Sequence, residues 1–180
     1  TLTDHINFAI ERFKERMVFT NPLLNEIKTF YKEEYLVGEY AVALIERRIG
    51  IKLPVDEAGF IALHIVNAEY NTVMRDTIDI TNLIQNVVKI VKEYFSMDLD
   101  ETSLNYQRFV THLRFLAQRI IGGEMLNSEN PEFNQLISQM YPEEYACSLK
   151  LKDYIQVTYH HDVTEEETAY LAVHIKRIRM

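Results

Sequence analysis

Tryptophan is absent from this chain and cysteine occurs once, at Cys147, so no internal disulfide can staple the fold. Glycine and proline are scarce, at 5 and 4 in 180 residues. An architecture of many strands needs turn residues far more often, and the long stretches with neither residue are rich in Leu, Ile, Glu and Lys, which favours helices. No uncharged apolar run approaches the roughly 20 residues of a membrane span. The longest candidates are broken by charges such as Glu46, Arg47 and Arg48, so no membrane insertion is expected. No basic leader with an apolar core and a small-residue cleavage site opens the chain, and a cytoplasmic location is expected. Positive charge is also short. The formal net charge is −8, so these residues by themselves repel a phosphate backbone, and direct binding of nucleic acid is not expected of them. The first residues, Thr1-Leu2-Thr3-Asp4, lack an initiator Met, as expected of a fragment or a processed piece, and an N-terminal module missing from this sequence is to be kept in mind.

What is present supports an all-α reading. The chain is 47% hydrophobic, enough for one large or two small helical cores. Ile78, Leu83, Ile84, Val87, Val88, Ile90, Val91, Tyr94 and Phe95 recur at three- and four-residue steps, the pattern of an amphipathic helix over about 77–97. A second helix follows Asp100, with Leu104, Phe109, Leu113, Leu116 and Ile120 on one face and Gly122-Gly123 at its end. Others are predicted from about Pro22 to Tyr35, from Gly38 to Arg48, and from Pro131 into the 150s. Pro54-Val55-Asp56-Glu57 opens one more. Val163-Thr164-Glu165-Glu166-Glu167 opens the last, Thr164 and Glu167 having the spacing of a capping box.

Those last two helices each carry a histidine, and the coincidence exposes an internal repeat. Phe60-Ile61-Ala62-Leu63-His64-Ile65 aligns with Tyr170-Leu171-Ala172-Val173-His174-Ile175 at a shift of 110, which also pairs Tyr31–Tyr35 with Tyr141–Tyr145 and Glu57 with Glu167. Nearer the front, Asn21-Pro22 matches Asn130-Pro131, and Asp4-His5-Ile6-Asn7-Phe8 matches Thr111-His112-Leu113-Arg114-Phe115. Two domains follow, at 1–75 and 76–180, the boundary lying in the polar stretch from Asn71 to Asp79. The helix over 77–97 has no counterpart before His5, so the first copy is expected to be truncated at its start.

Each half then holds two corresponding histidines, His5 with His64 and His112 with His174. Arg12 follows His5 by seven residues and Arg119 follows His112 by seven, while Glu57 and Glu167 precede His64 and His174 by seven. Seven residues is two helical turns, so each pair shares a face.

One helical histidine is ordinarily a packed, hydrogen-bonded residue, and duplication copies structural residues as faithfully as functional ones. Metal binding is poorly served: no His-x-x-x-His or Glu-x-x-His pair occurs, and His160-His161 faces Gly50-Ile51 across the repeat, which suits an exposed helix end. No phosphate-cradling glycine loop or nucleophile elbow appears, and the acidic runs 32–34 and 165–167 suit solvated faces and helix N-termini. No enzyme and no cofactor are expected. Reversible histidine phosphorylation fits better, because paired imidazoles with Arg and Glu two turns away supply an acceptor and neighbours to steer it.

The two second-histidine segments, with Asp56-Glu57 and Glu166-Glu167 upstream, together with Asp4-His5 and Thr111-His112, resemble the duplicated phosphotransferase-system regulation domains (PRD) of the BglG/SacY family of transcriptional antiterminators. The resemblance covers essentially the whole chain. It implies a helical bundle per domain, a homodimer of like-with-like contacts, and an upstream RNA-binding module absent here. It also implies phosphorylation sites at His5 and His64, modified by a sugar-specific permease (enzyme II) to switch the protein off, and at His112 and His174, modified by the carrier HPr to switch it on. Arg12, Arg119, Glu57, Glu167 and Asp4 would support them, although Thr111 replaces Asp4 in the second copy. A DNA-binding activator with similar sensor domains is the alternative, and a metal-dependent helical enzyme a more distant one.

Overall fold

The computed structural model describes residues 1–17, 19–70, 73–123 and 130–180. Among them lie nine helices and no strand: α1 Leu2–Lys14, α2 Leu24–Phe30, α3 Lys32–Ile49, α4 Val55–Glu69, α5 Met74–Phe95, α6 Leu104–Gly122, α7 Pro131–Met140, α8 Pro142–Tyr159 and α9 Glu165–Ile178. The expected all-α class and the repeat are both visible, with α1–α4 answering α6–α9. No described helix is long and apolar enough to cross a membrane.

The breaks between α2 and α3 and between α7 and α8 differ from the sequence expectation. The first falls at Tyr31 instead of between Tyr35 and Gly38, and the second divides what the sequence suggested as one helix from Pro131 onward. Tyr31 and Tyr141 leave the helical region in the same way, at φ −127°, ψ 51° and φ −131°, ψ 61°. Pro142 follows Tyr141, and a proline disfavours helical dihedrals in the residue before it. Tyr31 is held instead by burial and by a 3.1 Å hydrogen bond between its hydroxyl and Thr81 Oγ1.

Loop signals recur with the repeat. Asn21 Oδ1 accepts the Leu23 amide and Asn130 Oδ1 the Phe133 amide, both at 3.0 Å. α3 and α8 end on left-handed residues, Gly50 at φ 71° and His160 at φ 56°. α3 approaches α4 so closely that a Cβ on Gly38 would stand 2.2 Å from the Ala58 carbonyl oxygen.

The chain divides into two compact units, Thr1–Thr81 and Asn82–Met180. The division comes inside α5, a few residues beyond the expected 75/76 boundary, and Asn71 and Thr72 of the polar stretch placed there lie outside the described residues. In the first unit Ile27, Phe30, Ile61, Leu63 and Val66 are buried. In the second, Phe109, Leu113, Leu116 and Ile120 form the buried stripe of α6, joined by Leu151, Ile155, Leu171 and Ile175. Leu104, placed on that stripe from its spacing, is exposed in the first turn.

Candidate functional site

In the first unit α1 brings His5 and Arg12 to one face and α4 brings Glu57 and His64 to meet them. Glu57 is the hub. Its Oε2 lies 3.1 Å from His5 Nε2, and its Oε1 accepts a hydrogen bond from Arg12 Nη2 at 2.9 Å. The His5 and His64 rings lie 4.8 Å apart between centroids, with Phe60 5.7 Å from His5. The Arg12 guanidinium lies over Phe8 and Phe19, at 5.4 and 4.7 Å, so aromatic faces hold the cation toward the carboxylate. Burial works to raise the Glu57 carboxyl, but the His5 hydrogen bond and the Arg12 charge outweigh it and leave it below the usual carboxylate value. Burial, and then the neighbouring His5, lower His64 below an ordinary histidine.

The second unit repeats the arrangement with α6 and α9. Arg119 Nη2 donates to Glu167 Oε1. His112 Nε2 faces Glu167 Oε2 at 3.6 Å, beyond hydrogen-bond reach, and both atoms are buried without a hydrogen-bond partner. The His112 and His174 rings stack at 4.6 Å. Burial, followed by His174 and Arg119, pushes His112 down to about 3. Burial also lowers His174, with Arg177 adding to it. Glu167 is raised, because burial, with the neighbouring Glu166 charge adding to it, outweighs Arg119. Glu57 and Glu167 therefore shift in opposite directions: Glu57 has a histidine hydrogen bond that Glu167 lacks, and Glu167 also feels the like charge of Glu166.

Of the expected site residues, His5, Arg12, Glu57 and His64 converge in one unit, and His112, Arg119, Glu167 and His174 in the other. Asp4 does not join them. Its carboxylate accepts the Thr1 hydroxyl at 2.7 Å and completes the capping box of α1. Its counterpart Thr111 bonds back to the Gln107 carbonyl at 2.8 Å. The expected capping box at α9 is only half made. Thr164 Oγ1 accepts the Glu167 amide at 3.2 Å, but the Glu167 carboxylate is spent on Arg119. His160 ends α8, and His161 follows it outside both clusters.

Phe60 and Tyr170 flank the histidine pairs and carried no assigned role in the sequence. Their position four residues before His64 and His174, one turn away on the same face, is the signal that marks them. Among the described residues no group of three or more His, Cys, Asp or Glu side chains is arranged to hold a metal ion.

The PRD domain family model matches residues 1–68 and 85–178. The chain is similar to the transcription antiterminator LicT of Bacillus subtilis (strain 168), at 44% identity over 178 residues, 99% of this chain and 64% of that protein. It is 41% identical over 179 residues to the beta-glucoside operon antiterminator of Dickeya chrysanthemi, covering 99% of this chain and 63% of the relative. With Protein GlcT of Staphylococcus saprophyticus it shares 34% over 175 residues, 97% of this chain and 62% of the relative. The chain thus spans a little under two thirds of the length of these curated relatives.

Proposed function

Because this chain belongs to the PRD domain family, we propose that it is the regulatory region of a sugar-responsive transcriptional antiterminator, working as a cytoplasmic homodimer without enzymatic activity. Reversible histidine phosphorylation controls it. HPr modifies His112 and His174 and activates, and a sugar-specific permease modifies His5 and His64 and inhibits. RNA is bound by a module outside this sequence. The similarity to a transcription antiterminator and a beta-glucoside operon antiterminator favours antitermination over DNA-binding activation.

The observation that carries the reading is the matched pair of histidines in each unit, 4.8 and 4.6 Å apart, backed by one buried Glu and one Arg. A phosphoryl group adds about −1.5 to −2 charge near neutral pH. Placed beside Glu57 or Glu167 it meets a like charge, and the nearby arginine is the cation able to turn toward it. The local ion pairing must then rearrange, and a dimer contact that includes this face reads the change.

A leader-terminator reporter carrying the full-length protein tests the signs. Replacing His112 and His174 by Asp should raise read-through without phosphorylation, and His5→Asp should lower it. A silent double-Asp variant, with alanine at both positions also without effect, would contradict the reading.

A further inference from the structure

We infer that His5 accepts phosphate on Nδ1, with Glu57 as the positioning residue that keeps the ring hydrogen on Nε2. The inference rests on the phosphorylation reading above and names the reacting atom within it.

The geometry leaves little choice of tautomer. Glu57 Oε2 lies 3.1 Å from His5 Nε2, and the other oxygen of that carboxylate holds Arg12 at 2.9 Å. The Glu57 side chain is 5% exposed, so water does not take the place of either partner. A carboxylate paired with a guanidinium stays ionised, and an ionised carboxylate only accepts hydrogen bonds. Nε2 must therefore carry the hydrogen. A neutral imidazole has one N–H, so the lone pair available for attack is on Nδ1. No hydrogen-bond partner occupies Nδ1 among the described residues, and it is not among the buried, unpaired atoms.

The step balances without a further reactant. The Nδ1 lone pair forms the N–P bond as the bond from phosphorus to the donor protein breaks, and that bonding pair leaves with the donor. Nε2 keeps its hydrogen throughout. The positive charge that develops on the ring faces the Glu57 carboxylate, which stabilises it as buried carboxylates do for imidazolium elsewhere. The second unit does not share this lock, because His112 Nε2 stands 3.6 Å from Glu167 and makes no hydrogen bond.

Nitrogen-15 NMR of the imidazole rings in the unmodified chain at neutral pH reads the tautomer directly. The expected result for His5 is a bare, pyridine-type Nδ1 and a protonated Nε2, with the preference weakened in Glu57→Gln, whose amide can donate as well as accept. The chain is then phosphorylated with phosphoenolpyruvate, enzyme I, HPr and the sugar permease, and long-range proton–nitrogen correlations identify the isomer. The Nδ1 isomer is expected at His5, with the Nε2 isomer appearing in Glu57→Gln. A bare Nε2 in the unmodified ring, or phosphate mainly on Nε2, overturns the acceptor assignment alone. A chain whose histidines take no phosphate at all overturns the phosphorylation reading and the assignment together.

Discussion

His112 and His174 lie ring over ring, 4.6 Å apart and 27° from parallel, in surroundings that keep His112 uncharged. Unfolded, His112 takes up a proton near its ordinary value of 6.5; folded, it does so only near 3. Between those values the unfolded chain binds more protons, so stability falls as pH falls through this window and is regained as pH rises. His174 and His64, also lowered, act in the same direction. The thermal midpoint followed by circular dichroism should drop between neutral pH and about pH 5, and drop less in His112→Gln. An equal drop in both proteins would contradict the burial of an uncharged His112.

The two arginines are predicted to differ in weight. Arg119 is the cation bonded to the buried Glu167, whereas Glu57 has both Arg12 and His5. Arg119→Ala leaves a buried carboxyl without its partner and should cost on the order of 3 kcal/mol. Arg12→Ala should cost less, because His5 remains on Glu57. Urea denaturation of the two variants decides, and the reverse order would show that His5 does not share the carboxylate.

A third expectation concerns the matched helix ends. His160 holds φ 56° where the first copy has Gly50 at φ 71°. A side chain in the left-handed region costs about 1 kcal/mol. His160→Gly should stabilise by up to about that amount and Gly50→Ala should destabilise by a similar one. Equilibrium unfolding that showed the same sign for both would contradict the equivalence of the two caps.

Much of this arrangement is legible in the sequence because helical period and duplication act together. The seven-residue spacings from His5 to Arg12 and from Glu57 to His64 place each pair on one face, and the repeat says that both copies do so. That Glu57 joins His5 to Arg12 is not legible, since it depends on how α1 meets α4, a contact 52 residues apart in the chain. The helix break at Tyr31 is equally hidden. Its copy at Tyr141 is marked by Pro142, but Tyr31 is followed by Lys32, and only burial and the Thr81 hydroxyl show why the chain turns there. Asp4 misled for a simpler reason: adjacency to His5 along a helix does not put two side chains on the same face, and capping α1 claims the carboxylate first.

Phosphoryl transfer to the second unit tests the central claim most directly. The chain is incubated with HPr, enzyme I and labelled phosphoenolpyruvate, and the labelled peptides are mapped for the wild type and for His112→Ala and His174→Ala. The account predicts label on the peptides carrying His112 and His174, reduced in the matching variant, and none on the peptide carrying His160 and His161. A chain that takes up no label, or whose label survives both substitutions, would contradict it.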